Sequence, residues 1–329
     1  MSVQLFQNSN FNFIRWRWYA FALSATLIFA GVSTVVVRES LPLGIDFSGG
    51  TIVILKFEQA VTEETVRDAI DSVPGEKVVQ QYGESSANEM LIRLPQIERE
   101  EGASLEEGAV AVVGAIEQAE LGPYELLAQE IVGPVIGRDL QRRGIYAFLL
   151  AMAGILIYIG LRFRFSFAVG AVVAVAHDIL VTISFLLFFG YELSLNVVAA
   201  ILTITGYSVN DTIVIFDRVR ENLRFMRRDS FDQVINTSIN HTLGRTLITS
   251  GTTSMAVLAL LLFGGEVLRG FAFTMLVGII AGTYSTIFVA AMVAIFLHER
   301  RSLRRVPLAS SQGPAAASSK RHSRKVRAS

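Results

Sequence analysis

The sequence predicts a helical integral membrane protein of six transmembrane spans carrying one extracytoplasmic α+β ferredoxin-like domain. Three observations predict it. The 329 residues are 52% hydrophobic and only 18% charged, with a mean hydropathy of +0.48, whereas soluble domains carry about 25% charged residues. Six long apolar runs occur, at 19–37, 145–161, 166–189, 193–216, 246–263 and 271–297. Basic residues alternate between the connections of those runs.

A helix needs about 20 residues to cross about 30 Å of hydrocarbon, so each run is a span. The last is long enough to tilt or to extend past the interface. Span one has too long an apolar core for a signal peptide, and no small-residue cleavage site follows it, so it is expected to remain as an anchor.

Orientation follows from arginine. Arg15 and Arg17 precede span one, beside a belt of Trp16, Trp18 and Tyr19. Arg162 and Arg164 fill the turn after span two; Arg218, Arg220, Arg224, Arg227 and Arg228 follow span four; Arg300, Arg301, Arg304 and Arg305 follow span six. The other short connections hold only Glu192, Glu266 and Arg269. The positive-inside rule then puts both termini (1–18 and 298–329) and the 217–244 loop in the cytoplasm of a cell with this inner membrane, and 38–143 outside it. Residues 39–137 hold 19 Asp or Glu against 5 Lys or Arg, which the overall balance of 29 and 29 conceals.

Within the outside domain, Thr51–Phe57 alternates and is β-branched, as a strand is. Thr62 caps a helix running to about Val73, with Glu63 and Glu64 at its positive end, and Pro74-Gly75 stops it. Lys77–Tyr82 and Met90–Leu94 read as two more strands. Ser104 with Glu107 forms a capping box for a helix to about Leu121, and Tyr124–Ile131 supplies the last strand. The order βαββαβ is ferredoxin-like. The domain has no histidine and no nucleophile–base pair or metal cluster, so a binding or structural module is expected rather than an enzyme. The chain has no cysteine, which excludes disulfides and thiolate metal sites.

An ionisable group inside a bilayer costs at least about 2.5–3.5 kcal/mol on insertion scales, so each one needs a reason. Three stand out: His177 and Asp178 in span three and Asp211 in span four. Asp178 lies about 18 Å deep at about 1.5 Å per residue. Asp211 sits in the polar stretch Gly206-Tyr207-Ser208-Val209-Asn210-Asp211-Thr212. Asn196, Thr203 and Asn210 recur by sevens and give span four one polar stripe, expected toward the bundle interior. Arg245 opens span five, with Thr249 and Thr252 on its face, where it can approach Asp211. Pairing would hold the carboxylate ionised; a proton from outside would release the Arg, and loss of that proton inside would restore the pair. One charge crossing 100 mV supplies about 2.3 kcal/mol, enough to shift a bistable bundle. The static alternative is a buried ion pair that locks two helices. Gly278 and Gly282, four apart in span six, are expected to pack a neighbouring helix closely.

Ser230 and Gln233 cap a helix whose Phe231, Val234, Ile235, Ile239 and Leu243 share one side, expected to lie along the inner interface. The tail after Pro307, with Lys320, Arg321, Arg324, Lys325 and Arg327, reads as a solvated segment whose charge suits anionic lipid.

Over about residues 12–300 the sequence resembles the SecD/SecF family of Sec translocon accessory subunits. Gly44-Ile45-Asp46-Phe47-Ser48-Gly49-Gly50-Thr51, Val132-Gly133-Pro134 and Arg245-Thr246 with Thr249-Ser250 carry the resemblance. Its most specific element is Gly206 to Asn222, which contains Asp211, Thr212, Asp217 and Arg218. The resemblance implies half of a twelve-helix bundle of the RND superfamily, completed by SecD, and a role in late movement of unfolded preprotein through SecYEG after SecA, with YajC nearby. It also implies a proton path through Asp211 and Arg245, with the proton gradient as energy source, no cofactor and no hydrolytic site. Membrane lipids but no nucleic acid are expected as further contacts. The alternatives are half of a small-molecule RND exporter, disfavoured by an outside domain of only about a hundred residues, and a non-transporting scaffold.

Overall fold

The computed structural model describes residues 10–38, 41–73, 77–83, 87–95, 105–163 and 165–305. The expected helix stop at Pro74-Gly75, the cap at Ser104, Arg164 and the basic tail lie outside them. After a 3-10 turn at Ile14–Trp16, α1 runs Arg17–Arg38 and the short α2 Ile45–Ser48. The domain follows as β1 (Gly50–Phe57), α3 (Glu63–Ala69), β2 (Val78–Tyr82), β3 (Glu89–Pro95), α4 (Leu105–Gln118) and β4 (Tyr124–Val132). The remaining chain is helical: α5 Pro134–Arg162, α6 Phe165–Phe188, α7 Leu195–Phe225, α8 Phe231–Phe263, α9 Gly265–Ser285, a π turn at Thr286–Ala290, and α10 Ala291–Arg305.

The sheet has the order β2-β3-β1-β4, with β1 antiparallel to both β3 and β4. With α3 and α4 as the two crossovers, this is the ferredoxin-like arrangement. Alternation on β1 buries Val53, Leu55 and Phe57 against Val66, Ile70, Val112 and Ile116 of the helices. Thr62 caps α3 through Thr65 N at 3.2 Å, as its sequence position demands.

Six helical stretches are long and apolar enough to cross a membrane: Ile14–Val37, Val135–Arg162, Phe165–Phe188, Leu195–Phe225, Phe231–Phe263 and Val267–Arg300. Their burial divides them. Spans three, four and six are 56%, 50% and 67% buried, against 17%, 6% and 17% for spans one, two and five. The first three form the centre of the unit and the others its rim. Close approach within the centre depends on two glycines of α9, Gly278 and Gly282. A Cβ at Gly278 would lie 2.2 Å from Ile204 Cδ1 of α7, and one at Gly282 would lie 3.0 Å from Ser208 Cβ.

Two expectations need correction. The capping box at Ser230 and Gln233 is present, but it opens α8, which continues without interruption to Phe263. No separate interfacial helix forms: Val234, Ile235, Ile239 and Leu243 are buried in the main core with residues of α6, α7 and α10. The connection after α7 is therefore only 226–230. The second correction concerns the polar stripe of α7. Asn196, Thr203 and Asn210 do share a face, but it is the exposed one. The buried face carries Val197, Ile201, Ile204 and Ile215 together with Ser208 and Asp211: the aliphatic residues pack on neighbouring helices, and the two polar ones find hydrogen-bond partners there.

Candidate functional site

The site begins with what each helix presents inward. Asp178 on α6 is 1% exposed and accepts a hydrogen bond from Ser208 Oγ of α7 at 2.5 Å. Its other oxygen meets His177 Nδ1 at 3.1 Å. His177 Nε2 lies 2.8 Å from Ser24 Oγ of α1, Ser24 Oγ lies 3.2 Å from the Tyr284 hydroxyl of α9, and that hydroxyl donates to the Ala20 carbonyl at 2.6 Å. The imidazole also stacks on the Tyr284 ring, centroids 5.9 Å apart.

Proton counting orders this chain. Tyr284 gives its one proton to Ala20, so the Ser24–Tyr284 contact uses the serine proton. His177 Nε2–H then donates to Ser24, which leaves Nδ1 facing the Asp178 carboxyl.

Asp211, one helical turn beyond Ser208, is 5% exposed. It accepts from Ser250 Oγ of α8 at 3.4 Å, and Thr283 Oγ1 of α9 donates to Ser250 at 2.9 Å. Thr212 meets Thr286 of the π turn at 3.1 Å. The two carboxylate networks thus converge on adjacent residues of α9, Thr283 and Tyr284. Arg245 lies one and a half turns before Ser250 on α8 and is exposed. Its charge acts on Asp211 through space, but the nearest hydrogen-bonding partner of Asp211 among the described residues is Ser250. Asn210 faces outward beside it.

The remaining motif residues of α7 anchor its two ends of the signature. Gly206 is exposed, and the Tyr207 hydroxyl donates to Thr253 at 3.4 Å. Asp217 pairs with Arg162 of α5 at 3.1 Å. Arg218 pairs with Glu221 at 2.7 Å and meets His241 Nδ1 at 3.3 Å.

The first motif forms a second cluster, far along the chain but joined to the same helix. Gly49 and Gly50 adopt φ of 72° and 134°, a region where a side chain is strained, and so turn α2 into β1. Phe47 is buried. Gly44 N donates to Leu193 O at 2.8 Å and Leu193 N to Pro42 O at 2.8 Å, so 42–44 pairs with the 189–194 loop. Asp46 Oδ2 accepts from Leu195 N, the first residue of α7, at 2.8 Å. A carboxylate there complements the positive end of the helix. Arg93 of β3 donates through Nη1 to Glu192 and through Nη2 to Leu43 O. Burial raises the carboxyl pKa of Glu192 above its ordinary value, and the Arg93 charge opposes that rise.

Sequence reasoning singled out Asp178, His177, Asp211 and the glycine motif but not Ser24, Tyr284, Thr283, Arg93 or Glu192. Serine, threonine and tyrosine are common in spans, and the Arg93–Glu192 pair joins residues 99 positions apart; neither leaves a local pattern.

Comparison with known proteins identifies the relationship. Residues 114–300 match the family model described as protein export membrane protein SecD/SecF, C-terminal, and residues 41–61 match the SecD/SecF GG motif. The protein translocase subunit SecF of Desulfurispirillum indicum is 43% identical over 88% of this chain and 92% of its own length. That of Escherichia coli O157:H7 is 39% identical over 88% of this chain and 89% of its own. The crystal structure of SecDF, a translocon-associated membrane protein from Thermus thermophilus, superposes with a TM-score of 0.79 at 35% identity, over 91% of this chain and 40% of that one. SecDF in a super-membrane-facing form gives 0.66 at 36% identity, again over 40% of its length. With both motifs matched and the likeness running nearly end to end, this chain belongs to the SecD/SecF family of protein export membrane proteins.

Proposed function

We propose that the chain is one half of a proton-driven export unit, completed by SecD, that draws unfolded preprotein out of the SecYEG channel after SecA has begun its movement, with YajC as a neighbour. The observation that carries this reading is Asp211: a carboxylate 5% exposed in a span, bonded to the neutral hydroxyl of Ser250 and within the field of the exposed Arg245. Hydroxyl partners satisfy the charged and the neutral carboxyl alike, so they do not fix its protonation. Arg245 and Asn210 both lie on the outward face, where a second half would complete the site. The two SecDF structures, of which this chain matches 40%, support such a second half.

In this reading both termini and the Arg-rich connections face the cytoplasm, the α+β domain faces the outer side of the inner membrane, and lipid surrounds the exposed apolar faces. The energy source is the proton gradient; no hydrolytic step and no cofactor enter. The test is export of a secreted reporter by an Asp211→Asn variant at parental membrane abundance. The expected result is loss of gradient-dependent late translocation with early, ATP-driven translocation retained. Undiminished export would leave a scaffold, and gradient-dependent extrusion of small molecules would leave an RND-type exporter.

A further inference from the structure

Arg93 is a buried arginine on an inner strand of the sheet, 8% exposed, yet its guanidinium serves nothing within the sheet. It reaches Glu192 in the loop between α6 and α7, the carbonyl of Leu43 and Ser48 Oγ at 3.4 Å. One planar fork therefore ties three segments: β3, the 43–48 stretch and the 189–194 loop. That loop joins the two helices that carry Asp178 and Asp211. Its far end is bonded again to the same stretch, through Leu193 to Pro42 and Gly44 and through Leu195 N to Asp46.

The geometry points to Arg93 and Glu192 as positioning residues that clamp the α+β domain to the start of α7, so that the sheet and this end of α7 move as one body. Arginine suits the task because its fork holds several acceptors in one orientation, which a lysine point charge does not. Removing Glu192 leaves a buried guanidinium without its counter-charge, which is the costly way to break such a pair. The backbone bonds at Leu193 and Gly44 and the Asp46 carboxylate on Leu195 N would then hold the joint without that pair.

The native chain has no cysteine, so spin labels on Glu125→Cys and Val267→Cys report only the intended pair. Glu125 is exposed on the edge strand, and Val267 is 69% exposed at the start of α9. In full-length protein reconstituted in liposomes, the distance distribution is expected to be narrow. It should broaden with Glu192→Gln and broaden to a smaller degree with Arg93→Lys, which keeps the charge. A distribution unchanged by both substitutions would overturn the clamp.

A second arm rests on the export reading, whereas the distance measurement does not. Leu43→Cys with Leu193→Cys places two thiols across a parallel bridge; paired strands lie about 4.7–4.9 Å apart, inside the about 4.4–6.8 Å Cα separation that a disulfide spans. Glu192→Gln is expected to slow export, the closed disulfide to restore it, and reductant to remove the rescue. A closed disulfide that blocks export in the otherwise native chain would show that the joint must open, and would overturn the proposal.

Discussion

Ser208 of α7 donates to the Asp178 carboxylate of α6 at 2.5 Å, and this bond ties the two ionisable spans together one helical turn from Asp211. Both helices belong to the buried centre, so water has no ready place at this contact. Hydrogen bonds to charged or charge-sharing groups are worth about 1.5–3 kcal/mol, and a deserted buried acceptor costs the same order. Ser208→Ala should therefore lower thermal stability in detergent, by about 1.5–3 kcal/mol. The same substitution at Thr203, which among the described residues bonds to its own helix at Ala199 O, should be near neutral. Equal melting shifts for the two variants would show that the Asp178 contact contributes nothing special.

Much of this fold was legible in the chain itself, and the reason is local. Strand alternation at Thr51–Phe57, the Thr62 cap and the capping box at Ser230 and Gln233 each depend on residues within one or two turns. The failures share a different cause. Phe231, Val234, Ile235 and Ile239 form the same stripe whether the helix lies on a membrane or packs in a bundle; only the partners on α6 and α10 decide. Asn196, Thr203 and Asn210 likewise announce a polar face without saying whether it meets its own unit or another. The chain Tyr284–Ser24–His177–Asp178 joins three helices across up to 260 positions, and no periodicity encodes it.

The close contact of α9 with α7 gives a second prediction. An added Cβ at Gly278 would sit 2.2 Å from Ile204 Cδ1, closer than any real contact, so α7 or its side chain must shift. Overpacking of this kind costs about 1–3 kcal/mol. Gly278→Ala should lower the melting temperature and disturb the Asp178–Ser208 contact on the same helix. Gly154→Ala on α5, where nothing lies within 4 Å of the new methyl, should not. Comparable melts for the two variants would remove the packing role assigned to α9.

Glu192 supplies a pH dependence. Burial raises its carboxyl pKa above the ordinary 4.5, with Arg93 opposing. The other partners of the Arg93 guanidinium, Leu43 O and Ser48 Oγ, do not titrate. Between 4.5 and its raised value the native protein binds more of a proton than the unfolded chain does. The contribution of Glu192 to stability therefore falls as pH rises through that window. Glu192→Gln abolishes this titration, so the difference in melting temperature between parent and variant should change across the window and be constant above it. A difference that is flat from acid to neutral pH would mean that Glu192 keeps its ordinary affinity for protons. The same titration bears on the clamp, since acid on the side of the α+β domain would neutralise Glu192 and slacken its hold on Arg93.

The outward stripe on α7 leads to the last prediction. Asn196, Thr203 and Asn210 present polar groups along a span, where lipid offers them no partners. Arg245, exposed on the neighbouring α8, adds a full charge to the same problem. Small and polar residues at such a face are what membrane helices use to meet one another, so this face should be covered by a second helical unit. Thr203→Trp should then prevent co-purification of a six-span companion from solubilised membranes while leaving the chain folded, because Thr203 is exposed among the described residues. Ser208→Trp, one and a half turns on but facing inward, should instead unfold the centre and reduce abundance. If Thr203→Trp retains the companion at parental stoichiometry, the second half docks elsewhere, and the exposed Arg245 must find its counter-charge within this chain or at the lipid headgroups.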